Sequence, residues 1–314
     1  MQSSPTSDSP APRRLLIVDG HAFAYRAFFA IRSLSSPDGT ATNAIYGFIR
    51  MLVRMLAKVR PSHLAVVWDG GLAAERMALL PEYKAQRPQM PSDLEQQLDQ
   101  IVAYLHAAGI VSLLQDSCEA DDVIAAMTRQ AAADGLEVVI ASSDKDFMQL
   151  VSPAVRLLNP ADKTDTLWGA EEVKAKTGVA PTQIVDWLSL TGDAVDNIRG
   201  VPGVGAKTAA DLLRQFDSMD GLYQRLQEVR SDRLRANLQA SQEVVRRNQK
   251  LVQLNCEVPC EISLEELVCK PSDAAALRRL YLRWGFKSLL RELDQAGLPA
   301  GDFFPQTAGV CAGD

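Results

Sequence analysis

Residues 119–146, EADDVIAAMTRQAAADGLEVVIASSDKD, predict one helix followed by one buried strand. The helix begins with Glu119-Ala120-Asp121-Asp122, continues through an apolar run and stops at Gly135. Residues 137–141 form the apolar strand, which leads into Asp144 and Asp146. Five carboxylates therefore flank a single helix and strand.

Two explanations fit the acidic residues at the start of this helix. Carboxylates there ordinarily cap free N–H groups and complement the positive end of the helix dipole. The two carboxylates after the strand favour a different role, since like charges about 4 Å apart repel by about 4 kcal/mol at an effective dielectric near 20. A bound metal ion is the simplest way to hold such a cluster together.

Two more strands end in carboxylates. Residues 14–18 are apolar after Arg14 and lead to Asp19, and residues 64–68 repeat the pattern before Asp69. Such runs are typical of strands buried in a parallel sheet, and residues 43–59 have the spacing of a crossover helix. A lone aspartate after a strand is commonly a turn residue. Three such strand ends instead predict an α/β fold with a ligand site at the carboxyl edge of its sheet.

The composition is that of an ordinary soluble globular protein. The chain has 314 residues, 47% hydrophobic and 23% charged, enough for one large domain or two modest ones. A net charge of −6 argues against a polyanionic partner, but basic residues crowd positions 230–250. These residues form either a basic binding face or a solvated helix face.

Five irregularly spaced cysteines indicate a reducing compartment and no disulfide framework. Cys256 and Cys260 would supply half of a zinc site, which no second pair or nearby histidine completes. No apolar run approaches the roughly 20 residues of a membrane helix. We therefore expect a cytoplasmic protein, with tails at residues 1–13 and 297–314.

Residues 71–92 differ from the regular segments around them. They have no clean amphipathic face, contain three prolines and carry Arg76, Tyr83, Lys84 and Arg87. This pattern predicts a mobile basic loop or arch beside Asp69, with an irregular surface connection as the alternative.

The chain after Asp146 is predicted to be mainly helical. A helix that starts at Pro181 leads to Asp193 and Asp196, and a glycine-rich turn at residues 200–209 follows. Backbone N–H groups of that turn can face a phosphate, with Lys207 adding charge. Because the turn lacks the GK[ST] spacing and follows a helix, a nucleotide cofactor is disfavoured.

Seven motifs occur in order along the chain: Val18-Asp19-Gly20 with Tyr25-Arg26, Trp68-Asp69, Tyr83-Lys84 with Arg87-Pro88, Glu119-Ala120-Asp121-Asp122, Ser143-Asp144-Lys145-Asp146, Thr191-Gly192-Asp193 with Asp196-Asn197, and Gly203-Val204-Gly205 with Lys207-Thr208-Ala209. Together they resemble the bacterial 5′→3′ exonuclease or flap endonuclease family, which occurs as the N-terminal domain of DNA polymerase I and as stand-alone proteins. The resemblance covers about residues 14–294. It implies a PIN-like α/β core (14–178) with a central, mainly parallel sheet flanked by helices and with an arch (71–92). A helical DNA-binding region (179–296) is implied to follow, with a helix–three-turn–helix turn at 200–209.

The resemblance also implies a structure-specific nuclease of DNA replication and repair that uses two or more Mg²⁺ or Mn²⁺ ions. The implied metal ligands are Asp19, Asp69, Glu119, Asp121, Asp122, Asp144, Asp146, Asp193 and Asp196. The side chains implied to act at the scissile phosphate are Arg26, Lys84 and Arg87. The implied DNA contacts are Tyr83, by base stacking, and the glycine-turn residues Gly203, Gly205, Lys207 and Thr208. The resemblance also allows a bound K⁺ ion at this turn. The resemblance also implies a monomer that acts at the nucleoid. Its implied partners are DNA with 5′ ends or 5′ flaps and a DNA polymerase.

Other classes of protein fit these residues less well. A glycosidase needs two carboxylates rather than nine, and a phosphatase with an aspartate nucleophile needs an acid where His21 stands. A DNA-binding module without catalysis would bear the repulsion among these carboxylates without needing the metal ions that relieve it. Residues 71–75 are less polar than the family pattern, which leaves substrate threading open. The sequence also leaves open a stand-alone nuclease or a domain of a polymerase.

The origin of the carboxylates predicts two sub-sites. Asp19, Asp69, Asp121 and Asp122 belong to the α/β core and would hold the ion nearest the attacking water. Asp193 and Asp196, helped by Asp146, arrive with the helical region and would hold a second, looser ion. Substrate phosphate oxygens would complete that second ion, as is common for Mg²⁺.

Overall fold

The computed structural model of the protein describes residues 13–162, 164–260 and 262–295. Of the two predicted tails, only Arg13 lies within these ranges. The centre of the fold is a six-stranded sheet in the order β3-β2-β1-β4-β5-β6. Its strands are β1 Arg14–Asp19, β2 His63–Trp68, β3 Val111–Leu114, β4 Glu137–Ala141, β5 Val155–Leu158 and β6 Leu167–Trp168.

The sheet is parallel except for β6, which pairs antiparallel with β5. The prediction of a mainly parallel sheet is therefore confirmed, and the three strands expected from apolar runs are β1, β2 and β4. Helices cover both faces. The α-helices are α1 Gly20–Ala30, α2 Asn43–Val59, α3 Ala74–Leu79, α4 Ser92–Ala107, α5 Ala120–Ala133, α6 Ala170–Thr177, α7 Ile184–Thr191, α8 Ala206–Phe216, α9 Met219–Gln224, α10 Asp232–Ala240, α11 Gln242–Val252, α12 Ala274–Trp284 and α13 Lys287–Gln295.

Short elements complete the fold. The 3₁₀ helices are Asp146–Leu150, Pro181–Gln183, Leu226–Glu228 and Leu264–Leu267. A two-stranded hairpin, β7 Gly192–Asp193 and β8 Ile198–Arg199, lies between α7 and α8. Within the described ranges, no helix is long and apolar enough to cross a membrane.

Strand β1 shows why the sheet is the centre of the protein. Leu16 and Val18 pack into a core formed with α1, α2, α4, α12 and α13. Leu15 and Ile17 face the opposite side, where they belong to a core formed with α5 and with helices between α6 and α11. Because each fully buried aliphatic side chain stabilises the fold by about 1.5–3 kcal/mol, a strand with both faces covered is strongly held. Its carboxyl end is correspondingly well positioned.

The β7–β8 hairpin depends on two glycines. Gly192 has a φ of +75°, and a Cβ there would lie 2.3 Å from the backbone nitrogen of Gly200. A Cβ on Gly200 would lie 2.3 Å from the carbonyl carbon of Thr191. The hairpin is held from α11, where the buried Asn248 amide donates to the carbonyls of Ser189 and Arg199 at 3.1 and 2.8 Å. This packing fixes the position of the carboxylates in the hairpin.

The structure corrects the expectation of a basic loop at residues 71–92. The segment contains α3 followed by a tight turn, and Arg76, Tyr83 and Lys84 are buried. Their polar atoms contact carboxylates of other segments, so burial leaves them paired. A sequence pattern without an amphipathic face did not reveal this, because the partners are charged and distant in sequence.

Candidate active site

The carboxyl edge of the sheet carries a cleft of about 330 Å³. Because β2, β1 and β4 are neighbours in the sheet, the residues at their carboxyl ends converge there. Four carboxylates line the cleft, and we call them the core cluster: Asp19, Asp69, Asp121 and Asp144. His21, Tyr25, Met90 and Arg87 complete the lining side chains together with Ala22. The predicted convergence of strand-end carboxylates is thus observed.

Neutral donors orient the core cluster. Asp19 accepts hydrogen bonds from the Ala22 N–H at 3.1 Å and from the Ser142 hydroxyl at 2.8 Å. The Ser142 oxygen in turn accepts the Asp144 N–H at 3.1 Å, so its single proton is directed at Asp19. Asp69 accepts the Ala120 N–H at 2.9 Å. These contacts aim carboxylate oxygens into the cleft before any ligand is bound.

A second group of carboxylates adjoins the core cluster. One oxygen each from Asp146, Asp193 and Asp196 lies within 4.8 Å of the others, and we call these residues the hairpin cluster. Among the described residues, Oδ1 of Asp146 is buried without a hydrogen-bond partner. An all-oxygen set with an unused buried oxygen fits a hard divalent cation such as Mg²⁺ or Mn²⁺. The same three residues were grouped by the two-sub-site hypothesis.

The electrostatics of both clusters favour bound cations. Burial, with the charges of Asp144 and Asp69, raises the pKa of Asp19 to about 6. Burial, then Asp144 and Asp19, raises the pKa of Asp121 well above its usual value. The pKa of Asp146 is also raised well above its usual value, by burial and then by the carboxylates of Asp144, Asp193 and Asp196. A divalent ion would relieve the repulsion that otherwise makes these groups retain protons.

Lys84 lies between the two clusters. Its Nζ is ion-paired with Glu119 and is 3.9 Å from Asp196 Oδ2 and 4.0 Å from Asp121 Oδ2. Burial lowers the pKa of Lys84, but Asp196, Asp121 and Glu119 outweigh it and the pKa is raised. Arg87 donates to Asp196 Oδ1 at 2.7 Å and also faces the cleft. Two of the three side chains implied to act at the phosphate, Lys84 and Arg87, therefore lie beside the carboxylates.

The structure does not bring Asp122 to the metal clusters. Its two oxygens accept from the Arg76 guanidinium, at 2.7 Å each, and Oδ1 also accepts the Asn255 N–H at 2.8 Å. Asp121 and Asp122 are adjacent on α5, and successive helical residues point about 100° apart because 3.6 residues make one turn. Only Asp121 can face the cleft. We therefore assign Asp122 to the Arg76 ion pair rather than to a metal.

Glu119 has a similar position behind the cleft. Oε1 accepts the Ala73 N–H at 3.1 Å and is 3.1 Å from Arg76, while Oε2 is ion-paired with Lys84. Burial raises the pKa of Glu119, but Lys84 and Arg76 outweigh it and the pKa is lowered. Glu119 is thus a carboxylate that holds Lys84 in place.

Tyr83 is not placed for base stacking. It is only 3% exposed, and its hydroxyl donates to Glu119 Oε2 at 3.1 Å and approaches Asp196 Oδ2 at 3.3 Å. Arg26 is exposed on α1 and lies outside the cleft lining. Tyr25, which was not among the predicted site residues, lines the cleft and stacks against Phe29 with the ring centroids 6.4 Å apart. Its signal in the sequence was its place six residues after Asp19, about one and a half turns along α1.

The glycine-rich turn lies between the β7–β8 hairpin and α8, so it follows a short strand and not, as expected, a helix. Gly203 has a φ of +81°, and Gly205 precedes the first residue of α8. Lys207 is exposed in the first turn of that helix, and Thr208 is partly buried. A cleft of about 400 Å³ at this turn is lined by Pro202, Gly203, Thr208, Ser231, Arg233, Leu234 and Asn237. The helix N-terminus and nearby basic side chains suit a phosphate group.

The two carboxylate clusters at the sheet edge suit metal-dependent chemistry on a phosphate, and comparison with known proteins shows that the chain is a nuclease and gives its family. A family model described as the 5′-3′ exonuclease N-terminal resolvase-like domain matches residues 14–178. A second model, the 5′-3′ exonuclease C-terminal SAM fold, matches residues 179–275. The chain therefore belongs to the 5′-3′ exonuclease family, and the resemblance seen in the sequence is confirmed.

Curated relatives support this assignment. The chain is 39% identical over 283 residues to a 5′-3′ exonuclease of Aquifex aeolicus (strain VF5), a match that covers 90% of this chain and 96% of that protein. It is 36% identical over 284 residues to DNA polymerase I of Bacillus caldotenax, covering 90% of this chain and 32% of the polymerase. The chain thus spans about a third of the polymerase relative.

Solved structures share the fold. The bacteriophage T5 D15 flap endonuclease, in a pseudo-enzyme–product complex with DNA and metal ions, matches with a TM-score of 0.65 at 21% identity, covering 90% of this chain and 97% of that chain. The catalytic core of Rad2 with DNA substrate matches with a TM-score of 0.63 at 16% identity, covering 92% of each chain. These likenesses confirm the predicted arrangement of sheet and helices.

Proposed function

We propose that the protein is a structure-specific 5′→3′ exonuclease and 5′-flap endonuclease that hydrolyses DNA phosphodiester bonds with two divalent metal ions, Mg²⁺ or Mn²⁺. The observation that carries this proposal is the pairing of two carboxylate clusters around Lys84 at the carboxyl edge of the sheet. The family assignment and the flap endonuclease fold support the same reaction class.

The residues of the two clusters have separate roles in this proposal. The core cluster would hold the ion nearest the attacking water, and the hairpin cluster would hold the second. Bound ions of this kind lower the pKa of water and stabilise charge on a transferring phosphate. Lys84 and Arg87 would donate to the phosphate oxygens as negative charge develops there. Arg26 is proposed to contact the strand at the cleft entrance from α1.

The glycine turn is proposed to bind the DNA backbone. Gly203, Gly205, Lys207 and Thr208 would contact phosphates without reading bases, since backbone N–H groups and a lysine recognise charge. A K⁺ ion at this turn, a monomeric state, action in the cytoplasm at the nucleoid and a DNA polymerase as partner belong to the same proposal. The substrates would be DNA with 5′ ends or 5′ flaps, in replication and repair.

Cleavage of a labelled 5′-flap oligonucleotide, with and without Mg²⁺, tests the function. We expect cleavage near the flap junction in Mg²⁺ and none in EDTA, because both clusters need cations to act. Full cleavage in EDTA would contradict metal dependence. Tight binding with no cleavage in Mg²⁺ or Mn²⁺ would instead identify a DNA-binding module.

A further inference from the structure

A cavity outside the carboxylate cleft is lined by two arginines that have no acidic partner among the residues the structure describes. It has a volume of about 350 Å³ and lies between the turn after α3, the β7–β8 hairpin and α11. Its lining residues are Leu80, Glu82, Gln86, Asn197, Arg199 and Arg247. The wall formed by the turn is fixed, since the Asn197 amide donates to the Glu82 carbonyl at 2.9 Å and the Lys84 N–H donates to the Asp196 carbonyl at 3.1 Å.

The two arginines of this cavity differ from two paired arginines nearby. Within the described part of the chain, no carboxylate lies within ion-pair distance of Arg199 or Arg247, including Glu82 in the same lining. By contrast, Arg235 is paired with Asp232, and Arg246 with Asp220.

Arg247 also has an unused donor. Its Nε is buried and has no hydrogen-bond partner among the described residues, and its Nη2 makes only a 3.5 Å contact with Asn248 Oδ1. A buried donor without a partner destabilises a fold, and two guanidinium groups that face one cavity repel each other. A ligand with several anionic oxygens would accept from the buried Nε of Arg247 and would also be attracted by the exposed guanidinium of Arg199. Phosphate has that chemistry, and arginine recognises it in a bidentate manner.

We propose that Arg199 and Arg247 together bind one phosphate of the DNA backbone. The inference rests on the proposed function and adds a contact to it. Arg199 follows Asp196 of the hairpin cluster by three residues and directly precedes the glycine turn. This position between the two places suits a phosphate of a strand held at both, and a phosphate bound there would set the distance between the duplex contact and the site of cleavage.

Binding of DNA to the whole 314-residue chain in EDTA tests this site without cleavage. The variants are Arg199→Gln, Arg247→Gln and the double variant, with Arg247→Lys to retain the charge. Arg246→Gln is the matched control, since it removes the neighbouring charge on α11, which is already neutralised by Asp220. Thermal unfolding of each variant shows whether it is folded. The probes are a 5′-flap duplex, the same duplex without a flap, and inorganic phosphate.

Two arginines on one phosphate predict a non-additive result. Each single Gln variant should lose about 3- to 10-fold in DNA affinity, and the double variant should reduce the slope of log affinity against log salt by about one rather than two. Arg247→Lys should fall between Arg247→Gln and wild type, because a lysine keeps the charge but not the bidentate geometry, whereas Arg246→Gln should remain near wild type. Loss on both duplexes assigns the phosphate to the duplex backbone, and loss on the flap substrate alone assigns it to the flap.

Three outcomes would overturn the proposal. They are an unchanged slope in a folded double variant, a slope that falls by two, and a loss equal to that of Arg246→Gln. If inorganic phosphate stabilises only proteins with both arginines while DNA affinity is unchanged, the cavity takes a free anion and not the DNA backbone. Mg²⁺-dependent cleavage by the wild-type protein is measured in parallel, so that failure of this site is distinguished from failure of the nuclease function.

Discussion

The two carboxylate clusters are held in place by different kinds of contact. In the core cluster, Asp19 and Asp69 accept hydrogen bonds from backbone N–H groups and from Ser142, all of which belong to the α/β core. In the hairpin cluster, Asp193 accepts a backbone N–H from Val195 at 2.9 Å, but both Asp193 and Asp196 are also ion-paired with the chain's own cations. Lys145 lies 3.3 Å from Asp193, and Arg87 lies 2.7 Å from Asp196.

This difference in contacts indicates which of the two clusters is preorganised for metal binding. Neutral donors that belong to strands and helix starts remain in place when a ligand binds, and they orient metal ligands in advance. Lysine and arginine side chains are long, and a metal ion or a substrate phosphate can displace them from a carboxylate. The core cluster is therefore a prepared site, whereas the hairpin cluster would exchange cations on binding. Each prediction below tests that contrast.

The largest effect is expected for loss of a carboxylate from either cluster. Asp121→Asn and Asp196→Asn should each slow single-turnover cleavage by more than about 10³-fold at ordinary Mg²⁺ concentrations, beyond the loss typical of one electrostatic donor. Only Asp196→Asn should regain part of its rate as Mg²⁺ is raised or Mn²⁺ is supplied, because substrate phosphate would complete the second ion. The single-turnover rate of each variant, measured against metal concentration, tests this difference. Identical curves, or rescue of Asp121→Asn alone, would contradict the contrast.

The next largest effect is expected for loss of Lys84 or Arg87, the two cations beside the clusters. Lys84→Ala and Arg87→Ala should slow single-turnover cleavage by about 10²–10³-fold while DNA binding changes far less, since a charge aimed at the transition state acts on the chemical step. Arg129→Ala is a control, because that arginine pairs with Glu257 on the surface. Normal cleavage by the Lys84 and Arg87 variants at saturating DNA would mean that they only bind substrate.

The sequence predicted the core cluster better than the segments that pack behind it. Apolar runs predict strands, and parallel strands necessarily present their carboxyl ends at one edge, so Asp19, Asp69 and Asp144 could be brought together without coordinates. The ion pair of Asp122 with Arg76 and the burial of Tyr83 could not be predicted in this way. Those contacts depend on which of several charged residues meet across the fold, and periodicity carries no such information.

Ser142 offers a test of preorganisation at the core cluster. Ser142→Ala removes the hydroxyl that donates to Asp19 and that accepts the backbone N–H of Asp144. The Mg²⁺ concentration for half-maximal rate should therefore rise by about 10- to 100-fold. Ser142→Thr should retain most of the affinity. The exposed neighbour gives the control, Ser143→Ala, which should behave as wild type. Equal behaviour of Ser142→Ala and Ser143→Ala would show that the hydroxyl does not orient the site.

The glycine turn lies outside both clusters and should affect binding alone. Gly205→Asp or Lys207→Glu should lower the affinity for duplex DNA of any sequence and leave saturated cleavage largely intact. Each lost phosphate contact should reduce the slope of log affinity against log salt by roughly one. Measurements on two unrelated duplexes separate this from base recognition. An unchanged affinity and slope would mean that the turn only packs two helices.

The smallest expected effect is on the stability of the metal-free protein. The folded-state pKa of Asp19 is about 6, against an ordinary value of 3.8, because of burial and then of the charges of Asp144 and Asp69. The folded state therefore binds this proton more tightly than the unfolded state, and the stability that protonation contributes is lost as pH rises through about 6. At one pKa unit per 1.4 kcal/mol, the ionised Asp19 lowers the free energy of unfolding by at most about 3 kcal/mol at pH 8.

Thermal unfolding in EDTA at pH 5 and pH 8 should show Asp19→Asn gaining stability over wild type mainly at pH 8. The exposed Asp38, whose pKa is lowered by hydrogen bonds from Ser36 and Thr40, provides a control of opposite sign, so Asp38→Asn should not gain stability at pH 8. Added Mg²⁺ should then raise the unfolding temperature of wild type more than that of Asp19→Asn, because only wild type keeps the full core cluster. If Asp19→Asn and wild type share one pH profile in EDTA, then repulsion among the buried carboxylates is not what the metal relieves.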